Sequence, residues 1–220
     1  MRPVPLLLTV TALVIVIIGS VLLGAIDLGA GRVLAEVWAQ LTGGISPLSD
    51  QEAAILWQLR VPRVLMACLV GAALAGSGAA YQGVFRNPLA DPYLLGVASG
   101  AGVAATLVIA LAPGSAGWAL APAAFVGALG GVALTWMLGR SAGGGRSSTA
   151  TLLLAGVAIA AFLTAIQNFV LQYDGEAVRQ VYSWLLGSMV NSGWDQVRRI
   201  LPYVLGASVV LCACGRLLDA

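Results

Sequence analysis

Two arginines, Arg60 and Arg63, stand on either side of Val61-Pro62, at the head of a charge-free run over 64–85. Each guanidinium carries paired N–H donors that match a carboxylate in a bidentate bond. Docking of an acidic partner is one reading of the pair; anchoring of a membrane span by snorkelling arginines is the other. Gln167 and Asn168 are neighbouring amides inside an apolar run. Lipid offers them no hydrogen bond, so they face either a water-filled path or another helix. The polar break Asn87-Pro88-Leu89-Ala90-Asp91-Pro92 carries two prolines that stop helices. It is either a tight turn between spans or a mobile element at the mouth of a pathway. The glycine-rich loop over 140–149 reads as a solvated linker or a gate segment.

Other chemistry is excluded by residue type. All eleven basic residues are Arg, and the chain has neither Lys nor His. A Walker A loop and Schiff-base chemistry each need a Lys, and a histidine-based triad needs a His. Any ATP hydrolysis therefore belongs to another chain, and this one is expected not to be an enzyme. Cys68, Cys212 and Cys214 lie in apolar runs without the spacing of a zinc site and read as small packing residues. No catalytic residue, metal ligand set or cofactor is expected, and no basic run points to nucleic acid.

The elements that position these residues are membrane helices. The chain of 220 residues is 60% hydrophobic and only 9% charged, against about 25% charged in a soluble domain. Runs of this kind are long enough to cross a hydrocarbon core of ~30 Å. Six spans are placed at about 4–26, 64–85, 93–111, 118–138, 149–173 and 200–215. The last is short and would depend on Arg199 and Arg216 reaching the interfaces. Two polar segments lie between spans on one side of the membrane. The first predicts an amphipathic helix over 33–41, a break at Gly43-Gly44 and a short helix entering Arg60. The second places Val178, Val181, Tyr182, Leu185 and Leu186 at helical spacing, with Trp184 and Trp194 suited to the interface. Counting arginines, five against six, gives no orientation. Small residues at Gly71, Ala75 and Ala79, and the pairs Gly96–Gly100 and Gly127–Gly131, predict close helix packing.

The stretches Arg-Val-Pro-Arg at 60–63, Gly-Ala-Ala-Leu-Ala-Gly-Ser-Gly at 71–78 and Asn-Pro-Leu-Ala-Asp-Pro-Tyr-Leu-Leu-Gly at 87–96 resemble the permease subunits of type II ABC importers. This is the FecCD-type family, which takes up iron-siderophores, haem and cobalamin. Leu152-Leu153-Leu154-Ala155-Gly156-Val157-Ala158 and Trp184-Leu185-Leu186-Gly187-Ser188 add to the likeness, which covers essentially the whole chain.

The resemblance implies an all-α, polytopic fold in a bacterial-type inner membrane, with the N-terminus cytoplasmic and both polar segments outside. It implies a second permease subunit, identical or not, a cytoplasmic ABC ATPase and an extracytoplasmic substrate-binding protein. Transport would follow alternating access driven by the ATPases. By the same likeness, Arg60 and Arg63 would receive acidic residues of the binding protein. The fifth span, with Gln167 and Asn168, would line the path at the dimer axis. Asn87, Pro88, Asp91 and Pro92 would sit at the inner mouth, and the 140–149 loop at the cytoplasmic gate. Permeases of this kind have ten spans, and the sixth is followed by a coupling loop that docks on the ATPase. The sequence to 220 matches the first six, so it is expected to be the N-terminal portion of a permease, C-terminally truncated. The expected cargo is a ferric siderophore, with haem or cobalamin as alternatives. A small stand-alone channel or carrier, or an inactive permease fragment, is the rival reading. The carrier would call for ionisable residues within spans or internal repeats, and neither is evident.

Overall fold

The computed structural model of the chain describes residues 3–88, 90–143, 148–173, 175–190 and 192–218, and no strand occurs among them. The helices are α1 (Pro3–Leu22), α2 (Ala30–Thr42), α3 (Asp50–Ala54), α4 (Val61–Phe85), α5 (Val97–Leu111), α6 (Ala116–Ala142), α7 (Thr149–Leu171), α8 (Gly175–Leu186) and α9 (Trp194–Leu218). A π-helical stretch, Ile55–Arg60, joins α3 to α4, so one continuous rod of 36 residues runs from Asp50 to Phe85. At ~1.5 Å per residue this is ~54 Å, far longer than a ~30 Å hydrocarbon core. Its first turns must therefore stand outside the membrane. Among the described residues, five stretches are long and apolar enough to cross, Val4–Leu22, Asp50–Phe85, Gly117–Ala142, Thr149–Leu171 and Trp194–Gly215, and α5 is a shorter apolar helix. The protein is all-α and polytopic.

Several helices differ in length from the apolar runs, the first and the last among them. The first stops at Leu22, because its last carbonyls are taken by a side chain described below. The last starts at Trp194 and is 25 residues long, so it has no need of arginines stretched to both interfaces. Its start is capped: the Gln196 side chain accepts from the Gly193 N–H at 3.0 Å, and Val197 N–H bonds the Gly193 carbonyl. Asp195 in the first turn also suits the positive end of the helix dipole.

The described residues form two compact units. One comprises 1–73 and 189–210. Its small core is Leu28, Val33, Leu48 and Leu56, flanked by Val21, Leu22, Trp57 and Val61. The polar segment over 27–58 folds as expected, with α2 closed by Gly43 in the left-handed conformation at φ 73°. Ser49 and Glu52 form a reciprocal capping box on α3. Glu36 is buried and accepts from Trp57 Nε1 at 3.0 Å and from Ser46 Oγ. Both donors are neutral, and without them a buried carboxylate would be costly.

The other unit comprises 74–188 and 211–220. Here α5, α6 and α7 pack together, and the two glycine pairs meet each other. A Cβ on Gly100 would collide with the Gly127 carbonyl, one on Gly127 with the Gly100 carbonyl and Ala104, and one on Gly131 with the Gly96 carbonyl. The antiparallel helices α5 and α6 thus touch backbone to backbone, the contact that small residues permit in a membrane. Gly156 on α7 does the same against the Leu94 carbonyl. The Gly71, Ala75, Ala79 stripe is different: all three residues are exposed, and nothing lies within 4 Å of the Gly71 Cβ position. Ala177 and Val181 of α8 are buried against Ile109, Leu171 and Trp184.

Candidate functional site

The end of α1 decides where Arg60 goes. The last carbonyls of a helix have no partners within it. Arg60 supplies them: Nη1 donates to the Val21 and Leu22 carbonyls at 3.0 and 3.2 Å, and Nη2 donates to Ile26 at 2.8 Å. The guanidinium lies where Gly24 leaves room, since a Cβ there would overlap it. Arg60 is only 9% exposed. A cation at a helix C-terminus is favourable, and here it staples α1 to the head of α4.

Arg63, one turn on, reaches the segment before α9. Its Nη2 donates to the Val190 carbonyl at 2.6 Å, while its buried Nε has no hydrogen-bond partner among the described residues. Trp194 Nε1 donates to the Trp57 carbonyl at 2.8 Å, a second tie between the same two regions. Both arginines line a cleft of about 320 Å³ with Gly24, Ile55, Leu59 and Val64. The sequence placed the pair at a rim; it did not disclose that one arginine is engaged by three backbone carbonyls and the other by one.

In the same unit, Arg32 and Glu52 form a bidentate pair at 2.9 and 2.6 Å. Hydrogen bonds from Arg32, then from the Ser49 backbone, bring the Glu52 carboxyl down to about 2. The hydrogen bond to Glu52 in turn raises the Arg32 pKa.

The break over 86–96 is an ordered stop-and-start device. Asn87 N–H bonds Gln82 O and Arg86 N–H bonds Gly83 O, the paired bonds of a Schellman ending. The left-handed position of that motif, usually glycine, is held by Arg86 at φ 47°. Ala90 N–H then bonds Asn87 O. Asp91 caps the next turn, accepting from Tyr93 N–H at 2.7 Å, with Pro92 at its first position. Gly96, at φ 74°, swings the chain into α5. Thr135 Oγ1, buried on α6, donates to Leu95 O at 3.0 Å and fastens the turn to the bundle. Pro88 lies within this framework; Leu89 is outside the described residues.

Gln167 and Asn168 diverge. Gln167 is 7% exposed and packs into the space opposite Gly102 of α5. Asn168 is exposed. The two amides therefore do not form one polar patch. In the 140–149 loop, Arg140 sits 4.7 Å from the Trp136 ring centre, and Ser148 caps α7 by accepting from Thr151 N–H at 3.2 Å. Residues 144–147, with Arg146, lie outside the described set. A wide concavity along α8 is lined by Arg179, Gln180, Ser183 and Trp184, a polar face that the apolar spacing of this helix had left unread.

Comparison with known proteins places these features. The model of the FecCD transport family matches residues 12–220. The cobalamin import system permease protein BtuC of Halobacterium salinarum is 42% identical over 162 residues, 74% of this chain and 43% of that protein. The Fe(3+)-citrate import system permease protein YfmE of Bacillus subtilis is 35% identical over 202 residues, 91% of this chain and 59% of that one. The chain spans about half the length of the curated relatives it matches. A solved structure described as an inward-facing conformation of an ABC transporter of metal-chelate type aligns with TM-score 0.66 and 28% identity, over 86% of this chain and 62% of that one.

Proposed function

Because this chain belongs to the FecCD transport family, we propose that it acts in the membrane as permease of an ATP-binding-cassette importer for a bulky metal chelate, a ferric siderophore or a corrinoid such as cobalamin. The family match over 12–220 carries this reading, and relatives named for cobalamin import and for Fe(3+)-citrate import support a chelate cargo. The absence of Lys and His from the sequence leaves ATP hydrolysis to a partner ATPase. A second permease subunit and an extracytoplasmic binding protein complete the assembly, with the N-terminus in the cytoplasm.

In this reading the arginine cleft faces the binding protein. Arg60 holds its floor by fastening α1 to α4, and Arg63 offers the guanidinium that a partner carboxylate takes. By the family likeness, Asn87, Pro88, Asp91 and Pro92 belong to the inner mouth of the pathway. Asn168 faces the pathway or the second subunit, and Gln167 braces α7 against α5.

Co-purification followed by reconstitution tests the proposal. The chain, expressed with the ATPase and binding protein of such an importer, is expected to form a complex that takes up radiolabelled cobalamin or a ferric siderophore in an ATP-dependent manner. Purification free of any ATPase, with no uptake of either cargo, would overturn it.

A further inference from the structure

The amphipathic helix α2 is turned the unexpected way round. Its buried side carries Val33, Glu36 and Ala39, and its ion pair, Arg32 to Glu52, lies on the flank toward α3. At 100° per residue, Leu34, Trp38 and Leu41 fall together on the side opposite Val33, Glu36 and Ala39. All three are exposed, Trp38 at 69%, and Ile45 just beyond the helix is 97% exposed. The outward stripe is thus apolar and free of charge, while charged groups face the protein. Single exposed apolar residues are ordinary; a continuous stripe with an exposed tryptophan needs a cover.

We infer that the outward face of α2 is a membrane-surface contact, seated in the headgroup layer next to the ends of α1 and α4. The position of the helix selects lipid as the occupant. Val33 of α2 packs in one core with Val21 and Leu22 at the end of α1 and Val61 at the start of α4. Those residues mark where two spans leave the hydrocarbon, so α2 sits at the depth of the headgroup layer, roughly 5–8 Å thick on each side. The lipid-facing surface is continuous with it: Leu23 and Ile26, between α1 and α2, are also exposed. Tryptophan is the side chain that this layer favours, ring in the apolar boundary and indole N–H toward water. An acidic docking partner would find no cation on this stripe. The helix therefore rests on the bilayer like a float and sets the height of the arginine cleft behind it.

The Trp38 side chain is exposed, and the one side-chain bond to this residue, from Thr42 Oγ1, goes to its backbone carbonyl, so replacing the indole leaves the packing among the described residues untouched. The full chain and its Trp38→Tyr variant would be placed in phosphatidylcholine vesicles with or without bromine on the acyl carbons nearest the glycerol. The difference emission, which isolates Trp38, is expected to be blue-shifted and lost in the brominated vesicles. A second reading uses Leu41→Cys with a nitroxide label after Cys68, Cys212 and Cys214 are changed to Ala. Its relaxation is expected to respond more to oxygen than to a water-soluble nickel chelate. A red-shifted, unquenched difference emission would mean that the stripe faces water, and would overturn the inference. Emission indifferent to bromine, with a label shielded from both reagents, would assign the stripe to a second copy or another protein, and would overturn it equally.

Discussion

The guanidinium of Arg63 holds the carbonyl of Val190 at 2.6 Å, across 127 residues of sequence. That bond ties the approach to α9 to the head of α4, while Nε of the same side chain is buried without a partner among the described residues. A carboxylate arriving at this point would find an oriented cation whose partner among the described residues is a neutral carbonyl. A carboxylate adds charge–charge attraction and a second, parallel hydrogen bond that a neutral carbonyl cannot offer, so the exchange favours the newcomer. Arg63→Glu is expected to weaken binding-protein association by about 2–5 kcal/mol and to flatten its salt dependence. Titration of the binding protein onto the reconstituted chain at two ionic strengths checks this, and an unchanged affinity would refute the docking role.

Arg60 behaves differently because three carbonyls already claim it. Arg60→Met leaves the end of α1 without partners and is expected to cost about 3 kcal/mol of stability. Gly24→Ala should act in the same direction, since the added methyl displaces the guanidinium. Thermal unfolding in detergent reads both. If Arg60→Met unfolds like the parent chain while Arg63→Glu alone loses docking, the two arginines have separate duties but the staple carries little energy.

The glycine pairs make a comparison within one molecule. Gly127→Ala drives a methyl into the Gly100 carbonyl and Ala104, whereas Gly71→Ala meets open space. The first is expected to destabilise the α5–α6 pair by roughly 1–3 kcal/mol, the second to leave the chain's own stability unchanged. Detergent unfolding midpoints of the two variants should separate clearly.

These pairings show what was legible in the residues and what was not. GxxxG spacing announced close approach, and the 96–100 and 127–131 pairs proved to be each other's partners. The same reasoning applied to Gly71, Ala75 and Ala79 found a stripe that no described residue covers. Spacing reports what a helix permits, not what arrives. The Arg-Val-Pro-Arg motif marked a membrane boundary, but the carbonyls that engage Arg60 lie 34 to 39 residues earlier and backbone groups leave no trace in a sequence. The Schellman ending at Arg86 was hidden because the glycine that usually signals it is missing. The start of α9 was passed over for a more tractable reason: counting apolar residues ignored the Gly193–Gln196 cap, which was there to be read.

Acid should loosen the polar segment around α3 through Glu52. Its carboxyl is lowered from 4.5 to about 2 by the hydrogen bonds from Arg32 and Ser49. A depressed carboxylate contributes stability above its unfolded value, and that contribution is lost as pH falls from about 4.5 through about 2. Hydrogen exchange over 43–54 is therefore expected to rise across that window. Glu52→Gln should show the faster exchange already at neutral pH and lose that part of the pH dependence. An acid response identical in the variant would place the loosening elsewhere.

The last prediction separates the two amides of α7. Gln167 is buried against Gly102 and Asn168 is exposed. An exposed amide within a membrane span obtains its hydrogen bonds from something outside the chain, either water in a pathway or another subunit. Asn168→Leu is accordingly expected to leave the unfolding midpoint of the isolated chain unchanged while lowering uptake by the assembled transporter several-fold. Gln167→Leu removes an amide that fills the space opposite Gly102, so its effect should appear first in the midpoint. Swapping the phenotypes, with Asn168→Leu unstable and Gln167→Leu stable but inactive, would mean that the pathway runs along the opposite face of α7.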